Sequence, residues 1–149
     1  GWRAWHVCVT SLVVEEVGEP GYFPDWSVSD LVAHLGTWLA EAGIQLERIA
    51  AGTYEPRDVE IDVLNAEFRT AMRGQPWSVI LNQAQTSRTR MLEVWYALPT
   101  RTDDDSWWVA KAGAEHYAEH LDRLGDWVDL LHERRYEVLP LPTRAEWQE

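Results

Sequence analysis

Ser27-Val-Ser-Asp-Leu-Val-Ala-His-Leu-Gly-Thr-Trp-Leu-Ala-Glu-Ala-Gly-Ile-Gln-Leu-Glu-Arg-Ile49 decides the fold. Within it Leu31, His34, Leu35, Trp38, Ala42, Gln45, Leu46 and Ile49 recur at steps of three and four, the spacing that keeps side chains on one helix face. Ser27 and Asp30 stand in the order of a helix start, where a hydroxyl caps a free backbone N–H and a carboxylate suits the positive helix end. A helix beginning near Val28 therefore carries an apolar stripe, and His34 points where the leucines point.

The same period extends to both sides. Trp2, Trp5, Val9, Leu12 and Val13 predict a first helix to about Val17, broken by Gly18-Glu-Pro-Gly21. Residues 51–60 read as a connection, followed by a shorter helix through Ile61, Leu64, Phe68 and Met72 that Gly74-Gln-Pro76 ends. Ile80, Ala84, Ser87, Met91, Trp95 and Leu98 mark a third long helix from Trp77, closed by Pro99. Thr100 to Ser106, with Asp103-Asp104-Asp105, reads as a solvated loop, lacking the spaced oxygens and glycine of an EF-hand. Gly113, His116, His120, Leu124, Trp127 and Leu131 then predict a fourth long helix over roughly 109–133.

No run of alternating polar and apolar residues suggests a strand, so four amphipathic segments must bury their stripes against each other. The expectation is an all-α four-helix bundle with a long crossover between the second and third long helices. The bundle is assigned residues 1–135, and residues 136–149, with Pro140 and Pro142, are assigned to a tail.

Composition bounds the function. The 149 residues are 46% apolar and 26% charged, the balance of one globular domain. Thirteen basic against twenty-five acidic residues give a net charge of −12, Lys111 is the only lysine, and no basic half is hidden within the acidic whole. A protein that tracks nucleic-acid phosphates is disfavoured. The longest nearly apolar stretch, Val7 to Val14, is too short to span a bilayer. Cys8 is the only cysteine, which excludes an internal disulfide and a cysteine-based zinc cluster and suits a cytoplasmic protein. The first residues lack a signal-peptide layout, and the missing initiator Met suggests a trimmed or tag-derived start.

Three histidines fall on predicted inward faces: His34 on the second long helix, His116 and His120 on the fourth. Histidines four apart lie about 5–6 Å from each other at Cβ, so both imidazoles can reach one ion, and a third from a facing helix completes the set. Three neutral imidazoles suit zinc, nickel, iron or copper and leave coordination positions open to an outside ligand. The plainer reading is that they are core residues, in a structural bundle that is monomeric or homodimeric.

Pro24-Asp-Trp-Ser-Val-Ser-Asp-Leu-Val-Ala-His-Leu-Gly-Thr-Trp38, with His116-Tyr-Ala-Glu-His120 some eighty residues later, resembles the DinB superfamily, which includes the N-terminal domains of mycothiol-dependent maleylpyruvate isomerases. The likeness runs from the first helix through the fourth. It implies a four-helix bundle that binds a divalent metal through a triad matching His34, His116 and His120. It also implies mycothiol or another low-molecular-weight thiol as cofactor, hence a thiol-dependent transferase or detoxifying enzyme acting on a small electrophile. The maleylpyruvate isomerases carry a further C-terminal domain and often have Glu where His116 stands, so their particular isomerisation does not transfer. A related branch protects its producers by binding or hydrolysing reactive natural products, and non-catalytic sequestration of a small molecule is the alternative.

Other residues have competing roles. Asp30 lies one turn before His34 and could hold its second ring nitrogen, although a helix-start role fits better. Glu115 and Glu119 flank the histidine pair beside the inner stripe and read as solvated or supporting groups. Tyr117, Trp38 and Trp127 could wall a substrate pocket, with plain core packing the commoner job. Cys8 reads as a buried inert thiol, and His6 and His132 as ordinary histidines without a partner at ligand spacing.

Overall fold

A computed structural model describes residues 1–56 and 60–138. All regular structure among them is helical: α1 (Trp2–Thr10), α2 (Val14–Val17), α3 (Val28–Ala51), α4 (Ile61–Met72), α5 (Trp77–Ala97), α6 (Asp103–Val109) and α7 (Glu115–Val138). A π turn over Ala110–Ala114 joins α6 to α7, and Gly113 leaves helical geometry within it. The described residues form the all-α fold that the helical periods predict.

Helix α3 is the central element, packed along α5 and flanked by α4 and α6, while α1 packs on α7. Its start is the one its sequence dictates: Ser27 Oγ accepts from the Asp30 N–H at 3.1 Å, and Asp30 Oδ2 accepts from the Ser27 N–H at 2.9 Å. Asp30 thus serves the helix end and not His34. At the other end Gly52 takes the left-handed conformation that closes many helices. Leu31, Leu35, Ala42, Gln45 and Leu46 of the expected stripe are buried; Val28, Val32, Gly36, Leu39 and Gly43 widen it. At Gly36 α5 comes close: a Cβ there would lie 2.9 Å from the Ala84 Cα and 2.3 Å from Gln83 Oε1.

Several boundaries differ from expectation. The first helix ends at Thr10, the chain bends through Ser11–Val13, and α2 is a separate turn. Val13, expected on the inner face, is exposed as a result. The supposed loop around Asp103-Asp104-Asp105 is the first turn of α6. Thr102 caps it, and Asp105 Oδ2 accepts from the Thr102 N–H at 2.6 Å. Burial pushes the fully enclosed Asp105 carboxyl up, but hydrogen bonds from Thr102, Ser106 and Trp95 outweigh this and hold it below its usual range. Residues 136–138, assigned to the tail, continue α7; the rest of that assignment lies outside the described residues. Ile61 is exposed, although its spacing placed it inward.

Arg135 on α7 grips Glu16 on α2 with two hydrogen bonds, one of 2.8 Å. Those bonds hold the Glu16 carboxyl below the ordinary glutamate value of 4.5, although partial burial opposes them. A folded-state pKa below the unfolded one gives stability that is present above about pH 4.5 and lost as pH falls through the folded value. Glu16→Gln is therefore expected to lower Tm at pH 7. The gap to the parent should close as pH falls below 4.5 and through the lowered folded-state value, as followed by thermal melts across pH; a gap constant with pH would reject the ion pair as its source.

Candidate metal centre

The three inward histidines meet. His34 comes from the second turn of α3, and His116 and His120 from the first two turns of α7. One ring nitrogen from each lies within 4.8 Å of the others, and His34 Nε2 is 3.0 Å from His116 Nε2. All three rings are half-buried. Burial first, and the His120 imidazole second, push His34 down to about 4. Burial and then the other two imidazoles push His116 to about 3. Burial also lowers His120. At neutral pH the rings are therefore uncharged, the form in which imidazole donates a lone pair.

The donor set fits a divalent transition metal. A tetrahedral ion with bonds near 2.0–2.1 Å places its nitrogen ligands about 3.3 Å apart, close to the His34–His116 spacing. His34 Nδ1 is buried without a hydrogen-bond partner among the described residues, so the nitrogen turned to the other histidines is Nε2. The tyrosine hydroxyl Oη of Tyr22 lies 2.7 Å from His120 Nδ1, which leaves His120 Nε2 as the free nitrogen.

Tyr22 is the residue that spacing did not flag. It sits in the short connection before α3, expected only as a turn, which closes on itself through the Gly21 and Tyr22 N–H groups to the Trp26 carbonyl, each at 3.0 Å. Gly21 has φ +143°, and a Cβ there would fall 2.3 Å from the Trp127 ring, so the turn requires glycine. Burial pushes the Tyr22 phenol up to about 12, so it faces His120 as a neutral hydroxyl. The Tyr22 aromatic ring meets Phe23 edge-on at 4.9 Å, and Trp26 meets His34 edge-on at 5.5 Å. Arg69 on α4 secures the turn by hydrogen bonds to Asp25 Oδ2 at 2.9 Å and the Asp25 carbonyl at 2.7 Å, and it stacks over Trp26.

The histidines open onto a cavity of about 490 Å³, whose walls include Phe23, Trp26, Trp38, Trp107 and Trp108. Of the other candidates, Trp38 and Glu119 line it. Glu115 is exposed and pairs with Lys111. Tyr117 belongs to the core, 5.5 Å from Trp2 and 6.3 Å from Trp5 between ring centres, and Trp127 packs over Gly21. Cys8 is half-buried, its thiol pushed up by burial and by Asp129. His6 contacts Gln85 at 2.9 Å and His132 contacts Ser11 at 3.2 Å, both away from the cavity.

Residues 1–130 match the family described as the mycothiol maleylpyruvate isomerase N-terminal domain. Searches of curated proteins and of solved structures return no match. The chain belongs to the mycothiol maleylpyruvate isomerase N-terminal domain family, within the DinB-like superfamily. No helix among the described residues is long and apolar enough to cross a membrane.

Proposed function

We propose, with membership of that family as the premise, that this chain is a metal-dependent thiol transferase or related detoxifying enzyme of the cytoplasm, acting on a small electrophile. His34, His116 and His120 would hold one zinc, nickel or iron ion, and mycothiol or another low-molecular-weight thiol would supply the nucleophile. The observation that carries this reading is the convergence of three uncharged imidazoles at the wall of one aromatic-lined cavity. A divalent cation held there would lower the pKa of a thiol and so favour the thiolate at neutral pH.

The chain's own residues supply the setting. Burial keeps protons off the imidazoles at neutral pH. The apolar walls of Trp26, Trp38 and Trp108 lower the local polarity beside the imidazoles, which strengthens electrostatic interactions at the site. The nucleophile comes from outside, which fits a cavity without a cysteine and the placement of Cys8 on α1.

The test is elemental analysis after loading with zinc, nickel or iron, followed by assay of mycothiol consumption with an electrophile such as 1-chloro-2,4-dinitrobenzene. One equivalent of metal and turnover abolished by chelation support the reading. Failure to retain any of the three ions overturns it, and metal with ligand binding but no consumption favours sequestration.

Tyr22 acts in this reading as a positioning residue. For His120 Nε2 to offer its lone pair, Nδ1 must carry the proton and donate it to Tyr22 Oη. Tyr22→Phe keeps the ring and removes that acceptor, and it is expected to weaken zinc binding about 10–100-fold with little change in folding. Competition against a chromophoric chelator measures it; an unchanged affinity would remove Tyr22 from the centre.

A further inference from the structure

The cavity beside the histidines is more specific than an apolar hole. Its rings are fixed before any ligand arrives. Trp38 donates its indole N–H to Asn65 Oδ1 at 2.8 Å and meets Phe68 edge-on at 5.5 Å. Trp108 is 4% exposed and donates to Tyr54 Oη at 3.3 Å. Trp107 stands perpendicular to Trp108 with centres 5.0 Å apart, and it is 49% exposed at the mouth. Flat, pre-set walls favour a flat guest, because ring faces and edges make contacts that a puckered skeleton of equal size cannot.

Polar groups narrow the class further. An indole N–H only donates, so the Asn65 atom facing Trp38 is the oxygen, and the amide NH₂ remains as the donor Asn65 can offer in the cavity it lines. Of the two lining side chains with a fixed charge, Lys111 is engaged by Glu115, and Glu119 has the opposite sign. The lining side chains thus present no cluster of one charge sign.

We propose that this cavity takes a flat aromatic or conjugated molecule bearing a hydrogen-bond acceptor, held among Trp26, Trp38, Trp107 and Trp108. The acceptor meets the Asn65 amide, and Trp107 and the exposed Ile61 close over the guest as apolar surface withdrawn from water. This assignment rests on the reading of the cavity as the substrate side of the metal centre, and it names the substrate class.

The experiment compares 2-naphthol with decahydro-2-naphthol, which share a carbon skeleton and a hydroxyl and differ in flatness. Binding is measured by calorimetry and by the ten tryptophan indole N–H resonances of ¹⁵N-labelled protein. Both zinc-loaded and chelator-stripped samples are used, and zinc content is determined on each. The expected result is that 2-naphthol binds about tenfold more tightly and shifts the indole resonances of Trp38, Trp107 and Trp108. Trp107→Ala, at an exposed position with helix content checked by circular dichroism, should weaken it about three- to tenfold. Equal affinity for the two alcohols, or indifference to Trp107→Ala, overturns the proposal. Zinc binding without the naphthol preference sinks the substrate class and leaves the metal reading intact. The preference without zinc binding does the reverse.

Discussion

Replacing His116 by Ala is expected to weaken zinc binding by more than about 100-fold, beyond the loss typical of a group that merely supports a ligand. His116 is the member closest to both others in ring contact, 4.8 Å from His34 and 5.1 Å from His120 between ring centres. Its Nε2 lies 3.0 Å from that of His34, so its removal leaves two nitrogens and breaks the shortest approach in the cluster. Chelator competition on the purified variant gives the affinity. His132→Ala serves as control, since His132 contacts Ser11 outside the cavity. An affinity within twofold of the parent would show that the imidazoles are packing residues. The metal-free variant should remain folded, because the half-buried ring lies at a cavity wall.

Trp5→Ala is expected to cost about 3–5 kcal/mol of folding stability, the usual range for removing a large aromatic from a core. Trp5 is wholly buried, stacks on Trp2 at 5.0 Å and neighbours Tyr117 of α7, so it is the main plug between α1 and α7. Its indole N–H has no hydrogen-bond partner among the described residues, so the loss is packing alone. Against a total of about 5–15 kcal/mol for a domain, such a loss brings the protein near unfolding. Urea titration at 25 °C measures it, and Trp5→Phe should recover most of the loss. A cost under about 1 kcal/mol would show that α1 is not integral to the fold.

Much of this architecture was legible because it rests on local rules. The stripe of α3, the Ser27–Asp30 start, the stop at Pro99 and the pairing of His34 with His116 and His120 all follow from helical period and capping. The start of α6 was equally written, since Thr102 and Asp105 repeat the spacing of Ser27 and Asp30. Three consecutive aspartates suggested solvent, whereas acids suit the positive end of a helix, and Asp105 is enclosed. Other features depend on contacts across the chain. Tyr22 meets His120 across 98 positions, and no periodicity links a turn residue to a helix so far away. Trp108, Ala112 and His116 follow one another at steps of four and line one cavity, so this face was legible in the spacing, whereas the departure of Gly113 from helical geometry within the π turn was not. Ile61 broke its predicted pattern because it borders the cavity mouth.

The scarcity of lysine has a practical consequence. Twelve of the thirteen basic residues are arginine, and Lys111 stands on the π turn, half-exposed, at the edge of the tryptophan-walled cavity. Within this sequence, amine-directed reagents therefore find a single side chain to address, at that rim position. A fluorophore or crosslinker coupled there would report on guests entering the cavity without any engineered attachment point.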